Sequence, residues 1–152
     1  MDMELLRAAT VDGWRLALYF HEGSGDRRFP VLMVHGFGSN RYSMDAEKNY
    51  SVARAAVARG FAVYVLELRG AGLSLAPVPE ESLEYNWGFG EYLDQDMPAA
   101  MELVLRHSGR DGLHGVGHSM GGMLFYALAT RQLPVIKSIA TIGAPLICEL
   151  KL

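Results

Sequence analysis

A single cysteine, Cys148, stands in 152 residues, which excludes an intramolecular disulfide. No histidine or cysteine companions stand at metal-ligand spacing, so Cys148 reads as a buried structural thiol and no metal is expected. The chain lacks a glycine-rich phosphate loop, so no cofactor is implied either. No apolar run reaches the roughly 18 residues of a membrane span. The start, Met1-Asp2-Met3-Glu4, lacks the positive region and apolar stretch of a secretion signal, so a cytoplasmic protein is the expectation. Charge of one sign is also missing. Seventeen acidic and 14 basic residues are interspersed to a net charge of −3, which leaves neither a nucleic-acid footprint nor a polybasic membrane patch. Repeats, linkers and low-complexity segments are absent.

What remains is a chain half apolar and one-fifth charged, long enough for one domain around one core. Residues 4–10 and 14–21 read as a hairpin across the Asp12-Gly13 turn signal, and Gly23-Ser24-Gly25-Asp26 supplies another turn. From there strands and helices alternate. The run Val31-Leu32-Met33-Val34 fits a strand buried on both faces. A helix is expected over 45–59, closed by Gly60, then a strand over 61–68. A loop of some twenty residues follows, with Pro77, Pro79 and the aromatics Tyr85, Trp87, Phe89 and Tyr92. That cluster suits core packing under a long loop better than an acyl pocket lining. The next helix should start near Asp94 or Asp96 and run to His107, with Pro98 in its first turn. A strand over 114–118, a buried helix over 120–131 and a strand over 135–142 complete about six strands. The fold class is α/β: a mainly parallel sheet with helices on both faces.

The chemistry concentrates where strand 114–118 meets helix 120–131. Gly117-His118-Ser119-Met120-Gly121 is the Gly-x-Ser-x-Gly pattern, in which a sharp strand-to-helix turn presents the serine. Ser119 is the candidate nucleophile, and the N–H of Met120 is placed at a helix N-terminus to stabilise an oxyanion. Its bland alternative is a helix-capping serine. Gly72-Leu73-Ser74-Leu75-Ala76 is a near-match without that strand-helix setting. His35-Gly36-Phe37-Gly38, directly after the first buried strand, offers the N–H of Phe37 as the second oxyanion donor.

These landmarks, with Arg69-Gly70-Ala71-Gly72-Leu73-Ser74 between them, run in the order of the α/β-hydrolase superfamily, which the sequence resembles. Ala71 stands where a histidine is commoner. Trp87, Phe89, Tyr92, Asp96-Met97-Pro98-Ala99-Ala100 and His114-Gly115-Val116-Gly117-His118-Ser119 resemble the acid-lipase branch and the relatives of polyhydroxyalkanoate synthases. The synthases carry cysteine where Ser119 stands, which favours ester hydrolysis. The resemblance implies a lipase or esterase acting on a small-molecule ester or lipid with an apolar acyl part.

A serine of this kind needs a histidine base and an orienting acid, which in this superfamily follow it along the chain. The 33 residues after Ser119 contain no Asp, no His and one acid, Glu149. His118 and His35 belong to the backbone motifs, and His21, His107 and His114 read as surface or strand residues. Residues 1–152 are therefore expected to be the N-terminal part of a hydrolase domain, with about six of eight strands and no activity of their own. The last apolar stretch, 139–150, would leave a bare sheet edge open to self-association. Two other readings stay open: an acyltransferase or thioesterase using Ser119, and a non-catalytic binding module on the same fold.

Overall fold

The computed structural model describes residues 3–25, 27–47 and 49–146. Cys148, Glu149 and the end of the last apolar stretch lie outside them, as does Asp26 of the second turn. Strands β1 (Met3–Ala9) and β2 (Arg15–His21) form the expected antiparallel hairpin. Strands β3 (Val31–Val34), β4 (Val63–Glu67), β5 (Leu113–His118) and β6 (Ile136–Ile142) complete a six-stranded sheet in the order β1-β2-β4-β3-β5-β6. The β2–β4 pairing is antiparallel, and β4–β3, β3–β5 and β5–β6 are parallel.

The middle strands are apolar on both faces because both faces are covered. Leu16, Leu18, Leu32, Val34, Tyr64 and Leu66 point into one core, shared with α3 (Met97–Ser108) and α4 (Met120–Thr130). Their neighbours Ala17, Tyr19, Val31, Met33, Val63 and Val65 point into the other, against α1 (Val52–Val57). This is the α/β architecture expected from the alternation of elements.

Three helices differ from expectation. The one expected over 45–59 is only α1, preceded by a 3₁₀ turn at Arg41–Ser43. Ser51 caps α1 by accepting from the N–H of Arg54, while its own hydroxyl donates to Asp45 Oδ1 at 2.7 Å. Asp45 is buried against His21 Nε2 at 2.8 Å. That pairing holds residues before Ser51 off the helical path, and it makes His21, of the two readings given it, a strand residue, buried at the end of β2.

The helix expected from Asp94 or Asp96 begins earlier, as the short α2 (Phe89–Glu91) and a π turn (Tyr92–Asp96) leading without a break into α3. The N–H of Met97 reaches back to the carbonyl of Tyr92. This one-residue widening admits Pro98, which has no N–H to donate, inside a continuous helix. Helix α4, expected to be buried all round, buries Leu124, Phe125 and Leu128 but leaves Met123, Tyr126 and Ala127 half-buried. Among the described residues β6 pairs only with β5, which leaves its other side as an open edge. No helix among them is long and apolar enough to cross a membrane.

Candidate active site

Strand β5 ends at His118, and α4 starts at Met120, leaving one residue to make the turn. Ser119 does so at φ +49°, ψ −117°. A β-carbon disfavours this backbone, so the conformation is held by its surroundings at a cost of about 1–3 kcal/mol. The Ser119 N–H donates to the Ile142 carbonyl at 2.9 Å, and its carbonyl accepts from Gly122 and Met123. The hydroxyl does not cap α4. Among the described residues it has no hydrogen-bond partner, which argues against the capping role.

Close packing locks the turn. A β-carbon on Gly121 would lie 2.3 Å from the Val34 carbonyl oxygen, so α4 sits directly on the end of β3. A β-carbon on Gly36 would lie 3.0 Å from Ser119 Cβ and 3.1 Å from His118 Nδ1. The loop after β3 is thus pressed against the serine turn, as the pairing of the two motifs requires. His35 holds that loop. Its Nδ1 lies 2.7 Å from the Gly36 carbonyl, to which it donates, and its Nε2 accepts the N–H of Leu68 at 3.1 Å. Both ring nitrogens are occupied, and burial lowers the pKa of the ring, so His35 is a neutral structural residue. Among the described residues neither the N–H of Phe37 nor that of Met120 has an acceptor.

A cavity of about 700 Å³, within the roughly 300–1,000 Å³ range of small-molecule pockets, reaches this turn at Met120 and Phe37, and Ser119 is not itself part of its lining. Phe37, Tyr85, Trp87, Phe89, Tyr92 and Met120 line it. The aromatic cluster is therefore divided between core and cavity. Trp87 and Tyr92 pack against the core, whereas Tyr85 and Phe89 are exposed to the cavity.

Two buried networks that sequence reasoning missed hold the cavity walls. The Glu67 carboxylate accepts from Tyr19 Oη at 2.9 Å, from the Leu73 N–H at 2.7 Å and from the Arg41 N–H at 3.3 Å. Ser74 donates to the Glu67 carbonyl and accepts from the Ala17 N–H. The near-match serine is thereby a structural staple. Arg69 binds Asp96 through its backbone N–H and Nε, and Asp12 through its terminal nitrogens. Arg69 and its acids stand 27 and 57 residues apart in sequence, and no local pattern signals such pairs. Among the described residues no three His, Cys, Asp or Glu side chains gather as metal ligands.

Residues 30–150 match the model of the alpha/beta hydrolase fold family. The chain belongs to this family. Relatives include a triacylglycerol lipase of Pseudarthrobacter phenanthrenivorans, 29% identical over 119 residues that cover 78% of this chain and 33% of the lipase. Gastric triacylglycerol lipase of Bos taurus is 27% identical over 139 residues, covering 84% of this chain and 35% of that one. This α/β-hydrolase chain thus spans about a third of the length of these curated relatives. An epoxide hydrolase of Vigna radiata superposes with a TM-score of 0.70 at 21% identity, over 95% of this chain and 41% of the other. At that identity the likeness shows the fold alone.

Proposed function

We propose that the full-length protein is a serine hydrolase of carboxylic esters, with Ser119 as its nucleophile. The observation that carries this reading is the backbone of Ser119, held at positive φ with a hydroxyl that caps nothing. Strain of this kind persists where the surroundings impose it, and a strand-to-helix turn is where this fold family presents a nucleophile. Ser119 Oγ attacks the ester carbonyl, and the carbonyl oxygen gains the charge of a tetrahedral intermediate. The N–H groups of Phe37 and Met120 donate to that oxyanion, supported by the N-terminus of α4. Collapse expels the alcohol and leaves an acyl-enzyme for water to hydrolyse.

The aromatic cavity supports an ester or lipid with an apolar acyl part, in line with the lipase relatives. The proton of Ser119 must pass to a base. Among the described residues His35 is fully engaged, and His118 sits beneath the turn against Gly36. We therefore assign the base and its acid to chain beyond these 152 residues, and expect no esterase activity from the 152 residues alone. In the 152 residues alone, the open side of β6 is a surface for self-association.

A fluorophosphonate probe tests the assignment. It should label the full-length protein on Ser119 and fail on Ser119→Ala. A folded full-length protein that stays unlabelled would overturn it.

A further inference from the structure

The loop that carries Phe37 is held by its ends. Among the described residues, no hydrogen bond of Phe37, Gly38, Ser39 or Asn40 reaches outside residues 36–43. At the entrance, His35 Nε2 accepts the N–H of Leu68 at 3.1 Å. At the exit, the N–H of Arg41 donates to Glu67 Oε1 at 3.3 Å. Glu67 is the last residue of β4 and Leu68 follows it. Both ends of the loop therefore hang from one point of the sheet.

The exit anchor is itself firmly seated. Glu67 is 2% exposed, and its Oε2 accepts from Tyr19 Oη at 2.9 Å and from the Leu73 N–H at 2.7 Å. Gly72 lies across the carboxylate so closely that a β-carbon there would overlap it. Hydrogen bonds from β2 and from the segment after β4 thus place the acceptor independently of the loop. The Arg41 N–H has no other acceptor among the described residues.

We propose that Glu67 is a positioning residue: by holding the Arg41 N–H, it fixes the exit of the loop and thereby the place of the Phe37 N–H, the oxyanion donor. The kinetic consequence rests on the serine-hydrolase reading. The tie between Glu67 and the loop does not.

Glu67→Gln isolates that tie. The amide keeps the shape of the side chain but has one acceptor oxygen where the carboxylate has two. The oxygen stays with the shorter bond, to Leu73, and the amide NH₂ then meets the Arg41 N–H donor to donor. In the full-length protein, with thermal melts confirming the fold, hydrogen exchange over residues 36–43 should quicken about tenfold, while residues 70–76 exchange as in wild type. An oxyanion donor acts on the transition state, and removing one outright costs about 10²–10³ in kcat. Displacing one should lower kcat for p-nitrophenyl butyrate about tenfold and leave KM unchanged. If Glu67→Gln does not fold, Arg41→Pro removes the same N–H from the other side. Asn40 is already extended, as the residue before a proline must be. Its effect is read against Arg41→Ala, which loses the same side chain and keeps the N–H.

Unchanged exchange over 36–43, or an equal rise over 70–76, would overturn the tie. Selective exchange with unchanged kcat would overturn the positioning role. A folded full-length protein that fluorophosphonate does not label on Ser119 removes the hydrolase reading instead, and the exchange result still decides whether Glu67 holds the loop.

Discussion

The carboxylate of Asp96 accepts from both the backbone N–H and the Nε of Arg69, each at 2.8 Å, and Asp96 is fully buried. One side chain thereby fixes a backbone position and a guanidinium together. The same guanidinium reaches Asp12 in the β1–β2 turn. Hairpin, cavity loop and π turn are tied at one point, where the Arg69 guanidinium also lies 5.5 Å from the centre of the Trp14 ring.

Asp96→Ala should cost about 3 kcal/mol of stability, the low end of the range for breaking a buried ion pair, because Asp12 still pairs Arg69. Urea unfolding would measure it. A loss below about 1 kcal/mol would show that the three elements hold without the tie.

The same residue predicts a pH dependence. Burial pushes the Asp96 carboxyl up from its ordinary 3.8 to about 6, against the opposing hydrogen bonds and charge of Arg69. A raised pKa means that the folded state binds the proton more tightly than the unfolded one. The associated stability is fully present below 3.8 and lost as pH rises through about 6. Asp12 lies on the other side. Burial opposes its ionisation, but hydrogen bonds from Arg69 and Thr10 outweigh that and hold it below its usual value, so its contribution fades only under more acidic conditions. The stability of wild type minus that of Asp96→Asn should therefore fall between pH 4 and 6, by up to about 3 kcal/mol. A rising difference across that window would contradict the assignment.

Gly121→Ala tests the contact between α4 and β3. Its β-carbon would meet the Val34 carbonyl oxygen at 2.3 Å, and backbone atoms there have no rotamer through which to yield. The expected outcome is a loss of about 1–3 kcal/mol, together with slower fluorophosphonate labelling of the full-length protein as the turn shifts. Unchanged melting would mean that the helix moves away freely.

Ser119→Gly should do the opposite for stability. Glycine accepts φ +49° without the β-carbon penalty, so the variant should gain about 1 kcal/mol while losing all labelling. Calorimetry of the two proteins decides whether the turn stores strain. A destabilised variant would show that it does not.

The open side of β6 gives a prediction on association. Ile142 is 45% exposed at the end of that strand, and an unpaired strand recruits another. Sedimentation should show concentration-dependent association of the 152-residue chain, reduced in Ile142→Lys. A monomer at all concentrations would rule out pairing through this edge.

By itself the sequence determined the strands, the α/β class and the serine motif. These are local: a buried run such as 31–34 admits one kind of strand, and the glycines around Ser119 announce close packing at the turn they flank. It misjudged the helix over 45–59, because a polar residue in a helical pattern does not reveal that Asp45 is held by His21 across the sheet. It also missed the π turn, whose reason is the fit of Pro98 within an unbroken helix. Only the tertiary structure decided that Ser119 is strained while Ser74 is stapled, and that Arg69 joins Asp12 to Asp96. Each of those facts depends on distances between residues far apart in the chain. Pattern and propensity act over a few residues, whereas burial and charge pairing are settled when the whole sheet closes.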